Sequence, residues 1–111
     1  LVLPNVLFTR GRAELLPASF PTLDRLRDEL FRAPGMKIGL RGHTDNVGER
    51  ELNLRLSRDR AAAVRQYLVD HGIGAARIQS EGFGPDKPLT DNRDEAARQK
   101  NRRVELLVLE P

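Results

Sequence analysis

The stretch from Arg50 to Asp70 carries helical periodicity up to the His71-Gly72 pair, where Gly72 suits a left-handed C-terminal cap. A short strand pattern stands on each side of it, Lys37–His43 before and Arg77–Phe83 after. A long helix set between short strands has one face to bury, and a sheet is the surface that the neighbouring segments supply. The rest of the chain has to fit around that unit.

Lys37–His43 alternates, with Ile38 and Leu40 on one side and Lys37, Gly39 and Arg41 on the other, which predicts a strand with one buried face. Upstream, Phe20, Leu23, Leu26, Leu30 and Phe31 recur at helical spacing from Ser19 to Arg32. Ser19 is placed to cap that helix, and Ala33-Pro34-Gly35 stops it. Leu1–Phe8 reads as a first strand in which Pro4 must sit at an edge, at a bulge or just before the paired stretch, and a turn follows through Gly11. Thr44–Gly48 is a loop with Asn46 and Gly48 as turn residues, and Gly82, Gly84, Pro85 and Pro88 make a second, ordered loop. Asn92 followed by Glu95 resembles a capping box for a short helix through Lys100, and Arg103–Leu109 is the last strand. The expected architecture is therefore an α/β (α+β) two-layer sandwich. Its mixed four-stranded sheet carries two main helices and a short third one, in the order β-α-β-α-β-(α)-β.

With 111 residues the chain has room for one domain, residues 1–111, whose core needs no metal or disulfide staple. No apolar run reaches bilayer-spanning length, and the chain opens at Leu1 directly into an apolar segment without a charged n-region. It reads as a domain cut from a longer protein, with any anchor or targeting signal outside it. Nineteen basic and sixteen acidic residues give a net charge of +3, but the signs are interspersed, which argues against a nucleic-acid stripe. The aromatics Phe8, Phe20, Phe31, Tyr67 and Phe83 mostly fall in apolar patterns and are expected in the core, leaving few for base stacking. The absence of cysteine removes thiolate and disulfide chemistry.

Within the long helix, Asn53, Leu56, Arg60 and Val64 lie on one face, yet only two of them are apolar. An arginine cannot shed its charge and is costly to desolvate, so something negative must meet Arg60. Asp45, in the loop after the second strand, is the attractive candidate, with Asn53 pointing into the same crevice. Two readings stand side by side. In one, Asp45 and Arg60 bond to each other and close the top of the core. In the other they receive a zwitterion: Arg60 forks onto a carboxylate, Asp45 accepts from an ammonium, and Asn53 orients the guest.

The residues Asn53, Leu56, Ser57, Arg60, Ala61, Val64 and Leu68 fit the pattern N-x-x-L-S-x-x-R-A-x-x-V-x-x-x-L, downstream of Gly42-His43-Thr44-Asp45. With Gly82-Phe83-Gly84, Pro88, Asn92 and Asn101-Arg102-Arg103-Val104, nearly the whole chain resembles the OmpA-like peptidoglycan-binding domain. That resemblance implies non-covalent binding of peptidoglycan through the diaminopimelate of the stem peptide, in a module that anchors a membrane-attached parent to the wall. The implied setting is the periplasm of a diderm bacterium, with the parent in the outer membrane. By the same carry-over Asp45 and Arg60 hold the two charged ends of diaminopimelate, and Thr44, Asn53, Leu56, Arg102 and Arg103 are further candidates for lining the pocket. The alternative is an interaction or scaffold domain of the same fold, in a motor stator or a secretion assembly.

Other constellations are weaker. His43 and Asp45 lack the further ligands of a stable metal site, so no metal is expected, and His43 reads as a locally bonded structural side chain. Ser57 has no histidine at a useful spacing and no glycine elbow, so it reads as back-bonded within its helix. Gly82-x-Gly84 lacks the third glycine of a phosphate loop. Arg98, Lys100, Arg102 and Arg103 form a solvated basic face or favour an anionic glycan or wall phosphates. No set of acid, base and nucleophile can be assembled, so the chain is not expected to be an enzyme or to need a cofactor.

Overall fold

The computed structural model describes all 111 residues, Leu1–Pro111. β1 (Lys37–His43) is the central strand, parallel to β2 (Ile78–Gly82) and antiparallel to β3 (Arg103–Glu110), in the order β2-β1-β3. The register sets Ile38 beside Ile78 and Val108, Leu40 beside Ser80 and Leu106, and Gly42 beside Gly82 and Val104. Three α-helices, α1 (Phe20–Arg32), α2 (Arg50–Asp70) and α3 (Glu95–Asn101), complete an α/β fold with a mixed sheet.

The core forms where α2 and α1 meet the inward face of the sheet. Leu23 and Leu30 of α1, Val64 and Leu68 of α2, Ile38 and Leu40 of β1, and Ile78 and Val104 of the flanking strands are all buried. Each such aliphatic side chain contributes roughly 2 kcal/mol. At its N-terminal half α2 sits directly on two paired glycines. A Cβ on Gly42 would stand 2.2 Å from the Ser57 carbonyl oxygen, and one on Gly82 would stand 2.2 Å from the Arg58 amide nitrogen. Ser57 locks this contact: its hydroxyl donates to the Leu54 carbonyl at 2.9 Å and accepts from the Gly84 amide at 2.8 Å. The depth at which α2 lies is therefore fixed along the same stretch that carries the half-buried Asn53, Leu56 and Arg60.

The expected four-stranded sheet is corrected to three strands. Leu1–Phe8 does not form a strand: it makes only isolated bridges, Val2 with Glu105 and Phe8 with Leu15. Pro4 removes a donor and Asn5 adopts a left-handed φ of 57°, so the segment leaves the edge of β3 after the Leu3 amide has bonded the Val104 carbonyl at 2.9 Å. It then runs over α1, where Thr22 donates to the Pro4 carbonyl and Ser19 bonds both the amide and the carbonyl of Leu7. Ser19 thus spends its hydroxyl on this strap and makes no side-chain cap to α1. A tight turn at Gly11 (φ 70°) returns the chain alongside itself, with the Thr9 amide bonded to the Glu14 carbonyl.

Two further expectations change. The cap of α3 is Asp94, whose carboxylate accepts from the Ala97 amide at 2.8 Å, while Asn92 accepts from the buried Asn101 side chain. None of the five aromatics is fully buried, and Phe31 is 52 % exposed, its ring resting on Gly72 at the end of α2. Phe8 and Tyr67 pack against the core from its margin, and Phe20 stacks on Tyr67 at 5.0 Å. The small core is filled by aliphatics, so the larger rings cover its rim.

Candidate functional site

The loop after β1, the N-terminal half of α2, the strap Leu3–Phe8 and the end of α3 enclose a groove of about 1180 Å³. Asp45, Arg60, Asn53, Thr44, Leu56, Arg102 and Arg103 all line it. Their states differ, and hydrogen bonding decides which of them is free to act.

Arg60 is a partly buried cation held on one side only. Its Nε donates to the Arg12 carbonyl at 2.9 Å, and its guanidinium carbon lies 4.9 Å from the centre of the Phe8 ring. The two terminal nitrogens bond to no protein acceptor and are not sealed from solvent. Burial lowers its pKa, Arg102 lowers it further, and Asp45 raises it. A guanidinium stays charged in proteins, so these effects describe a desolvated cation short of counter-charge rather than a proton leaving.

Asp45 is buried and faces the same groove, but no ion pair joins it to Arg60. One of its oxygens accepts from the Val47 amide at 3.0 Å and the other from Arg102 Nη1 at 2.6 Å. Closure of the core top by a direct Asp45–Arg60 bond is therefore not what forms. Arg102 also bonds Glu95, which holds the Arg102 pKa above its usual range, and the same contact holds the Glu95 carboxyl low. Arg60, Arg102, Asp45 and Glu95 together make a charge-balanced quartet with one unclaimed fork, that of Arg60.

The remaining candidates are mostly occupied. Asn53 donates its amide to the Val47 carbonyl at 2.9 Å, pinning the loop that carries Asp45. Thr44 is buried, its hydroxyl donating to the Asp45 carbonyl and its amide to the Gly84 carbonyl. Leu56 is half-buried and supplies apolar wall. Arg103 has spent its guanidinium on Glu105 and on the carbonyls of Asn101 and Lys87, so it stiffens the floor. Behind it, His43 Nε2 lies 2.9 Å from Glu105 while its buried Nδ1 has no partner. Burial and the nearby Arg103 lower the His43 pKa, which keeps the ring neutral, with Nε2 as donor and Nδ1 as the unpaired acceptor.

Sequence reasoning missed Glu95, Phe8 and the Arg12 carbonyl as parts of this site. Glu95 had a signal, since it stands seven residues before Arg102, about two helical turns, at the opposite end of the short helix that Arg102 closes. Phe8 and Arg12 had none, because their meeting with Arg60 depends on how the strap folds back at Gly11.

The chain is 37% identical over 103 residues to the peptidoglycan-binding protein ArfA of Mycobacterium tuberculosis, covering 93% of this chain and 32% of ArfA. It is 39% identical over 104 residues to the outer-membrane lipoprotein YfiB of Pseudomonas aeruginosa, covering 94% of this chain and 62% of YfiB. The chain thus spans about a third to three fifths of the length of these relatives. Among solved structures, the peptidoglycan-associated lipoprotein of Burkholderia pseudomallei superposes with a TM-score of 0.85 at 32% identity, over 93% of this chain and 87% of that one. A MotB-like protein of Desulfovibrio vulgaris matches equally well, at a TM-score of 0.85 and 32% identity over 96% of this chain and 68% of that one. The OmpA family model matches residues 7–102, which takes in Asp45, Arg60, Glu95 and Arg102 and all three α-helices, and the chain belongs to the OmpA family.

Proposed function

We propose that this chain is a non-catalytic module that binds peptidoglycan through the diaminopimelate of the stem peptide and tethers a membrane-attached parent protein to the wall, in the periplasm of a diderm bacterium. One observation carries the reading: Arg60 is desolvated, oriented by Phe8 and the Arg12 carbonyl, and left without a carboxylate in a groove it shares with Asp45. The names of ArfA and of the Burkholderia lipoprotein support wall binding as the task.

The geometry fits the head group of an amino acid. Arg60 offers its terminal nitrogens to the carboxylate as a fork. Each carboxylate oxygen of Asp45 accepts one bond from the protein and has a lone pair left, so an ammonium can add without expelling Arg102. A zwitterion leaves the balanced quartet balanced. Each charged bond contributes about 1.5–3 kcal/mol net, so single-site affinity is modest, and repeated epitopes on a polymeric wall strengthen retention.

The MotB-like structure favours a second reading, a scaffold domain of a motor or secretion assembly in which wall binding is secondary. Co-sedimentation with purified sacculi separates the two. Retention of the wild type that is lost in Arg60→Ala and Asp45→Ala supports the tether, and a wild type that stays in the supernatant overturns it. Release of muropeptides from those sacculi contradicts the non-catalytic role.

A further inference from the structure

The groove is larger and more positive than the head group of one amino acid requires. Five cations line it, namely Arg10, Arg60, Lys100, Arg102 and Arg103, against two carboxylates, Asp45 and Glu95. Arg102 is paired with both carboxylates, and Arg103 with Glu105 from outside the groove. A bound zwitterion gives Arg60 its counter-charge. Arg10, from the turn before Gly11, and Lys100, from the last turn of α3, remain. Both are exposed, both line the groove, and neither side chain makes a hydrogen bond or an ion pair within the protein.

We infer that Arg10 and Lys100 form a second, anion-reading part of the groove, which takes carboxylates of the ligand other than the one held by Arg60. The inference rests on the stem-peptide reading and deepens it: the preferred ligand is net negative, not merely zwitterionic. A stem peptide carries such groups, since its D-glutamyl residue has a free carboxyl when it is not amidated. Converting that carboxyl to a primary amide keeps its size and removes its charge, so amidation becomes a specificity determinant. Exposed pairs of this kind are individually weak and screened by salt, so the two cations together are worth roughly three- to tenfold in affinity at low ionic strength.

Calorimetric titration with three probes tests this: free meso-diaminopimelate, the tripeptide L-alanyl-D-glutamyl-diaminopimelate, and the same tripeptide with the D-glutamyl carboxyl as its amide. The proteins are the wild type, the Arg10→Gln/Lys100→Gln double variant, and Lys87→Gln, which removes a positive charge outside the groove. The readout is the ratio of acid to amide affinity. The expected ratio is about three to ten in the wild type and Lys87→Gln, falling toward one in the double variant and in raised salt. Equal affinities in the wild type, an unchanged ratio in the double variant, or an equal fall in Lys87→Gln overturns the inference while diaminopimelate still binds. Failure of diaminopimelate itself to bind overturns the underlying function reading, and this inference with it.

Discussion

Replacing Gly82 by alanine probes the contact that sets the height of α2 above the sheet. The added Cβ would lie 2.2 Å from the Arg58 amide nitrogen, 2.5 Å from the Arg58 Cα and 2.6 Å from the Ser57 hydroxyl, where ordinary contact begins at 3.4 Å. The first two of these atoms are backbone in the middle of a 21-residue helix, so no side-chain rotation can relieve the clash. The helix has to retreat by about 1 Å, loosening Val64 and Leu68 behind it. Overpacking of that kind costs about 2–3 kcal/mol, which for a chain of this size lowers Tm by roughly 10–18 °C. Thermal unfolding followed by circular dichroism measures it, with Gly35→Ala as control, because a Cβ there meets nothing within 4 Å. Gly35→Ala should stay within about 1 kcal/mol of wild type. If Gly82→Ala melts with the control, α2 does not rest on the paired glycines and the account of how Arg60 is positioned fails.

Asn101→Ala removes a fully buried amide that bonds the Leu89 and Thr90 amides, the Thr90 carbonyl and Asn92. It should cost about 2–4 kcal/mol in urea unfolding and speed hydrogen exchange at Leu89 and Thr90 first. Arg102→Ala leaves Asp45 only the Val47 amide, and should cost about 1–2 kcal/mol given that the Arg102 side chain is 33% exposed. Burial holds the folded pKa of His43 below the ordinary 6.5 of a histidine, so its contribution to stability is complete above that value and is lost as pH falls toward the folded pKa. Denaturation midpoints between pH 7 and pH 5 should therefore fall, with a shallower slope in His43→Gln.

Much of the fold is legible where a pattern is local. The periodicity that marks α2 gives its bounds, because one continuous face has to stay on the sheet. The first strand misleads because Leu1–Phe8 is apolar without being paired: Pro4 and the positive φ of Asn5 turn it into a strap. The helix cap at Asp94 instead of Asn92 reflects competition that the sequence does not rank, since Asn92 has a tertiary bond to Asn101 to make. At the site, the stripe of Asn53, Leu56 and Arg60 announces an unusual face, and Asp45 announces a carboxylate near it. Which arginine takes Asp45 is settled by a contact across 57 residues, and Arg60 and Arg102, of equal formal charge, both face the groove it lines. Arg102 wins because the end of α3 delivers it there with Glu95 holding its other edge, whereas the strap draws Arg60 toward Phe8 and the Arg12 carbonyl.

The most direct test of the account is titration of the isotope-labelled chain with meso-diaminopimelate, followed by NMR at the Arg60 guanidinium and at the Val47 amide that bonds Asp45. Both signals should shift along one saturable isotherm, and Arg60→Lys, which keeps the charge and loses the fork, should weaken binding at least about tenfold. An Arg60 signal that does not respond while the ligand binds elsewhere, or no binding at all, would contradict it.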